Sequence, residues 1–152
     1  MAGAAVTLKW YDREYRRIQK ALSRMAEPDL EVFAEFAGEE LLAVTEEAFE
    51  TESDPVSGEK WEPHSSATLK RGKIHSILVD TGDLRGSVDY EPHNDGSVTV
   101  GSNRVYANIH QEGGKAGRGR SVLIPQRRFL GVPKGFQNTL FGDPMVREML
   151  GL

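Results

Sequence analysis

His110, Asp80 and Asp83 are the residues whose types could support acid–base chemistry. A histidine titrates near neutral pH, and a histidine beside a carboxylate is a common general base in hydrolases. No serine or cysteine stands at a recognisable nucleophile spacing from His110. A turn that leads into a strand explains both aspartates equally well. We therefore expect no enzyme, and we place His110 near the end of a short helix over 105–110, where its ring hydrogen-bonds the backbone.

Metal and cofactor sites are not expected either. Carboxylates recur at Glu39, Glu40, Glu46 and Glu47, but no histidine shares their predicted helix and the chain has no cysteine. The run 113–120 is rich in glycine and arginine, yet it lacks the spacing of glycine, lysine and hydroxyl residues that defines a phosphate-binding loop. The sequence thus predicts no cofactor and no metal.

Charge is divided into blocks along the chain. The 152 residues carry a net charge of −4. Residues 27–62 hold thirteen acidic side chains and one basic side chain, whereas residues 9–24 and 104–134 are basic. In a protein that assembles with copies of itself, such blocks pair the acidic face of one copy with the basic face of the next. The alternative is that each block is a solvated surface.

An antiparallel sheet is predicted from the central part of the chain. Apolar residues alternate on both sides of a turn at Asn94-Asp95-Gly96, which indicates a hairpin over 87–102. We expect strands near 121–124 and at 6–10 to extend this sheet. With the helices that follow, the prediction is an α+β fold.

Helical spacing of apolar residues predicts the elements that cover the sheet. A long helix is expected over about 29–51 and an N-terminal helix over about 12–26. A short helix, 145–150, follows a capping Asp143. The whole chain, 1–152, is interpreted as one domain with exposed loops at 52–65 and 111–120.

Trp61 and the basic run near residue 118 leave alternatives open. A tryptophan in a polar loop either anchors that loop on the core, which we favour, or fills a pocket of a partner. The basic run is either a solvated hairpin tip or a disordered arm that becomes ordered against DNA or a neighbouring subunit. The candidate interface residues are Trp61, Arg118, Arg120, Arg127, Arg128, Glu35, Glu39 and Glu46.

Four segments, in this order, resemble the phage virion morphogenesis family, which includes tail completion proteins. They are Asp54-Pro55 with the following Gly58 to Trp61, then Leu78 to Leu84, Val100 to Gly113, and Ile124 to Gly131. The similarity spans about residues 45 to 131. This chain departs from the family pattern at Gln126 and Arg128, where a small residue and a proline are common.

The resemblance implies a structural protein of a tailed phage or prophage rather than an enzyme. Its expected place is the head–tail junction or the head-proximal end of the tail, in a virion assembled in the host cytoplasm. By analogy we expect a homo-oligomeric ring, with a hexamer as the guess, that contacts neck, connector or tail proteins and the DNA passing through. The alternatives are a nucleic-acid-contacting connector and an assembly factor absent from the finished particle. No apolar run approaches the roughly 20 residues of a membrane helix.

Overall fold

The computed structural model describes residues 3–9, 16, 30–72 and 75–149. Its strands are β1 (Ala4–Leu8), β2 (Val88–Pro92), β3 (Val98–Ser102), β4 (Gly114–Ala116) and β5 (Val122–Ile124). Its helices are α1 (Leu30–Thr51), α2 (Ser66–Lys70), α3 (Ala107–Glu112), α4 (Phe136–Gly142) and α5 (Pro144–Met149), with 3-10 turns at Arg85–Ser87 and Arg118–Arg120. The α+β class is confirmed.

The first sheet is three-stranded and antiparallel, in the order β1-β3-β2. The predicted hairpin is its β2–β3 pair. Asp95 shapes the turn because its Oδ1 accepts hydrogen bonds from the backbone N of Ser97 at 2.9 Å and from its hydroxyl at 2.6 Å. Gly96, with φ of 82°, takes the left-handed conformation that such a turn requires. The strand predicted at 6–10 is β1, which begins two residues earlier.

Helix α1 packs against β2 and β3. Its buried stripe is Phe33, Ala34, Ala37, Gly38, Leu41, Thr45, Ala48 and Phe49, which follows the predicted helical spacing. Gly38 allows helix and sheet to approach closely, since a Cβ atom at this position would clash with the ring of Tyr90. The long helix predicted over 29–51 is therefore confirmed, and its glutamates lie outside the buried stripe.

A second sheet corrects the predicted position of the strand near 121–124. Strand β5 pairs with β4, with Lys115 opposite Leu123, and not with the β1-β3-β2 sheet. The segment 111–120, predicted as a loop, contributes β4 and a 3-10 turn to this hairpin. Gly113, at φ of 72°, turns the chain out of α3 and passes so close to Gln126 that a Cβ atom would lie 2.8 Å from its backbone N.

Helices near the C-terminus complete the described core. Asp143 caps α5 as predicted, since its Oδ1 accepts a hydrogen bond from the backbone N of Met145 at 2.8 Å. Helix α4 was not predicted, although Phe136 and Leu140 on it are buried. No helix within the described residues has the length and apolar character needed to cross a membrane.

The structure covers the two remaining predicted helices to different extents. The N-terminal helix over 12–26 lies outside the described residues, apart from Arg16, which is helical and exposed. The short helix predicted over 105–110 is α3, which begins at Ala107 and buries Ala107 and Gln111. Tyr106 precedes the first turn of this helix and is 40% exposed.

Candidate interaction surface

Gln111 holds the segment that leaves β5, residues 125–131, which we call the exit segment. Its side-chain Oε1 accepts hydrogen bonds from the backbone N of Phe129 at 3.2 Å and of Leu130 at 3.1 Å. Its Nε2 donates to the carbonyl of Leu130 at 2.8 Å. Because Gln111 and both partners are buried, every one of these bonds satisfies a group that water does not reach.

Trp61 ties the loop after α1 to the same segment. Its indole Nε1 donates to the carbonyl of Arg128 at 2.8 Å, and its ring lies edge-on to Phe49 with centroids 5.7 Å apart. Only 5% of Trp61 is exposed. In the structure Trp61 anchors its loop on the core, which is one of the two alternatives. Its ring therefore offers almost no surface to a partner.

Arg127 and Arg128 were candidate interface residues, and the structure uses both guanidinium groups inside the chain. Arg127 is 9% exposed; its Nε donates to the carbonyl of Glu62 at 2.8 Å and its Nη2 to that of Pro63 at 2.9 Å. Burial lowers the pKa of Arg127, and the Glu62 carboxylate offsets part of this. The Nη1 of Arg128 lies 3.5 Å from Oδ2 of Asp54. We call Trp61, Gln111, Arg127 and Arg128 the anchoring cluster.

The β4–β5 hairpin, residues 114–124, extends from this cluster, and we call it the basic arm. Lys115, Arg118 and Arg120 on it are exposed, and within the described residues none of them lies in an ion pair. The arm also exposes apolar side chains, because Leu123 is 73% and Val122 is 50% exposed. Of the two alternatives for this run, the structure has an ordered hairpin with a cationic tip.

Three exposed carboxylates whose charges act on Tyr90 form an acidic counterpart to the basic arm, and we call them the acidic patch. Glu35 and Glu39 lie one turn apart on α1, Asp89 is on the adjacent strand β2, and all three are exposed. The pKa of Tyr90 is raised, first by burial and then by the negative charges of Glu39, Glu35 and Asp89. In the described part of the chain, no cation forms an ion pair with these carboxylates.

Glu46, the third acidic candidate, is instead paired inside the chain. Nε of Arg85 donates to Oε2 of Glu46 at 2.6 Å, and Nη2 of Arg85 donates to Oε1 of Glu50 at 3.2 Å. The cation that relieves repulsion at this end of α1 therefore comes from the turn before β2. The acidic side of α1 is thus divided into a paired end and the acidic patch.

A groove of about 510 Å³ brings the acid–base candidates together. His110, Asp80 and Asp83 all line it, together with Tyr106 and Arg127. The Nδ1 atom of His110 is buried without a hydrogen-bond partner, so this nitrogen does not make the bond to the backbone that the sequence predicted for the ring. Burial, and then the positive charge of Arg127, lower the pKa of His110. Within the described residues, no group of three or more His, Cys, Asp or Glu side chains could hold a metal ion.

Sequence reasoning missed Gln111, Arg85 and Asp89. Gln111 lies in a segment that carries the family resemblance, directly after His110, and that position was the available signal. Arg85 and Asp89 had no comparable signal, because the glutamates of α1 come near the β2 end of the sheet only through the packing of helix on sheet.

Comparison with known proteins agrees with the resemblance. The model of the phage virion morphogenesis family matches residues 13–144. The chain is 33% identical over 135 residues, 84% of its length and 86% of the relative's, to the "Putative capsid assembly protein G" of Escherichia phage Mu. It is 57% identical over 53 residues, 35% of its length and 38% of the relative's, to the Mu-like prophage FluMu G protein 2 of Haemophilus influenzae.

No solved structure matches this chain significantly. The family model nevertheless covers most of the sequence, including the anchoring cluster, the basic arm and the acidic patch. The phage Mu relative is similar over nearly the whole chain. The chain therefore belongs to the phage virion morphogenesis family.

Proposed function

We propose that this protein is a structural component of a tailed phage or prophage that acts at the head–tail junction or at the head-proximal end of the tail. It would act as a tail completion, terminator or neck protein, as an oligomeric ring retained in the virion. Membership of a virion morphogenesis family supports the general role. The position in the particle and the ring are our inference.

The basic arm is the observation that carries this proposal. A hairpin that exposes Leu123 and Val122 beside Arg118 and Arg120 combines apolar area with strong hydrogen-bond donors, as protein interfaces do. Its base is fixed by the anchoring cluster, so little conformational freedom is lost when the arm binds. An ordered, exposed arm of this kind suits a protein whose work is to join other subunits.

A second candidate is a role in head assembly. The phage Mu relative is named for capsid assembly, and that name supports a function before the head and tail meet. A third, contact with packaged DNA through the basic arm, is less favoured because the net charge is −4 and dedicated nucleic-acid binders are usually basic overall.

Electron microscopy of lysates separates the first two candidates. In a phage or induced prophage with a stop codon in this gene, we expect filled heads beside separate, finished tails, or tails of irregular length. Plasmid-borne wild-type protein should restore joined particles, which controls for effects on neighbouring genes. Absent, empty or aberrant heads would refute the proposed position and support the head-assembly role.

A further inference from the structure

We propose that the basic arm of one copy binds the acidic patch of the next copy, so that copies join head to tail into a ring. This inference rests on the proposed ring-forming function and names the subunit contact that would form it. The occupant of the acidic patch is thus a second copy of this chain. The two surfaces carry opposite charges, and both expose apolar side chains.

The arm presents its cations in a defined geometry. The tip is a tight turn that contains three residues with positive φ: Gly117 at 78°, Gly119 at 69° and Arg120 at 54°. Both arginines of the tip, Arg118 and Arg120, belong to this turn. Lys115 lies opposite Leu123 on the strands below, so a cation and an exposed apolar side chain share one face. An arginine is suited to this role because its planar guanidinium donates two parallel hydrogen bonds to a carboxylate.

The acidic patch presents matching groups. Glu35 and Glu39 are spaced by four residues on α1, where like charges repel. Asp89, on the edge strand β2, adds a third negative charge that acts on Tyr90 together with theirs. Val32, 41% exposed and one turn before Glu35, adds apolar area on this side of the helix. Two guanidinium groups placed here would relieve the repulsion and cover the apolar side chains.

The two surfaces are different, and this decides the symmetry. Within the described residues, no hydrogen bond or ion pair joins the arm to the patch of its own copy. When two identical copies join through two different surfaces, the pair still has one free arm and one free patch. Further copies can therefore be added by the same contact until the rotation closes a ring. The wrong pairings, arm to arm and patch to patch, bring like charges together and are disfavoured.

Charge reversal tests the pairing. One variant carries Arg118→Glu and Arg120→Glu, and a second carries Glu35→Arg and Glu39→Arg. We expect each purified variant alone to lose the oligomer peak of the wild type in size-exclusion chromatography with light scattering. An equimolar mixture should regain it, since each variant's arm then matches the other's patch. The four changes combined in one chain should also restore the oligomer.

Matched controls carry the same change of charge elsewhere. Arg104→Glu with Lys134→Glu, and Glu59→Arg with Glu148→Arg, alter exposed residues outside the two surfaces and should leave the oligomer intact. Circular dichroism melting checks that all variants fold. Self-assembly of both reversal variants, or no recovery on mixing, would overturn the proposed contact. A lowered melting temperature for Glu35→Arg with Glu39→Arg, without loss of assembly, would show that these glutamates stabilise the single chain rather than the contact between copies, and would also overturn it.

These outcomes separate the contact from the proposed function. If the wild type forms rings and the reversals do not affect them, the ring stands and the arm–patch contact is wrong. If the wild type remains a 16.8 kDa monomer at every concentration tested, both the ring and this contact are refuted. The lysate experiment then still reports independently where in the particle the protein acts.

Discussion

The exit segment and the basic arm each carry two arginines within ten residues of sequence, yet they use them in opposite ways. Arg127 donates to two carbonyl groups of the loop after α1 and is 9% exposed. Arg118 and Arg120 are exposed and, within the described residues, form no ion pair. Residue type alone therefore does not distinguish a structural cation from one that is available to a partner.

The difference follows from what surrounds each group. Glu62 and Pro63 present carbonyl oxygens that no strand or helix pairs with, and a guanidinium group satisfies both at once. The side chains of Arg118 and Arg120, by contrast, are exposed at the tip of the arm. We expect mutations in the anchoring cluster to change stability, and mutations in the arm to change assembly.

Truncating Trp61 should produce the largest change. Trp61→Ala removes the edge-on contact with Phe49 and the donor to the Arg128 carbonyl, and should destabilise the monomer by about 3–5 kcal/mol. The melting temperature should fall by about 10 °C or more. Trp61→Phe, which keeps an aromatic ring and loses the indole N–H, should cost only about 1 kcal/mol. An unchanged melting temperature for Trp61→Ala would mean that the ring is not a core anchor.

Substituting Arg127 or Arg118 should show directly that the exit segment affects stability and the basic arm does not. Arg127→Met leaves the carbonyls of Glu62 and Pro63 without their donor, which should cost about 1–3 kcal/mol in urea unfolding. Arg118→Met should change the unfolding free energy by less than about 0.5 kcal/mol. Equal effects of the two substitutions would show that the arm and the exit segment do not differ as the structure indicates.

Local patterns predicted the hairpin and α1. They did not predict the features that depend on contacts between residues far apart in the chain. A few neighbouring residues suffice to predict the turn at Asp95-Gly96 and the apolar stripe of α1 at Phe33, Ala37 and Leu41. The partners of Arg127 lie 64 and 65 residues away, so no local pattern indicates its burial. Strand β4 has only three residues and no alternation, which explains why its pairing with β5 was missed.

The acidic patch, too, was only partly predictable from local sequence patterns. Glu35 and Glu39 were candidates because helical spacing places them on one exposed face. The sequence therefore predicted this part of the patch. Asp89 is not on this helix, and its charge acts on Tyr90 together with theirs because α1 packs closely on β2 at Gly38. Glu46 left the set because Arg85, 39 residues away, pairs with it.

The smallest effect we expect is a dependence of stability on pH through His110, which lies beside the anchoring cluster. Its pKa in the folded state is below the ordinary value of 6.5, because burial and the charge of Arg127 disfavour the protonated ring. Between the folded and the ordinary pKa, the unfolded chain therefore binds more protons than the folded chain. Stability should be complete above about pH 6.5 and should fall as the pH is lowered toward the folded pKa, by less than about 1.4 kcal/mol per pH unit for this one proton.

The difference between wild type and His110→Gln in urea unfolding, from pH 5 to 8, isolates this contribution from the other histidines. Wild type should lose stability relative to the variant as the pH falls. Arg127→Met should reduce this loss, because the charge that lowers the pKa of His110 is gone, whereas Arg118→Met should not. If neither arginine substitution alters the pH dependence, the proximity of Arg127 to His110 has no electrostatic consequence, and the anchoring cluster and the basic arm differ in burial alone.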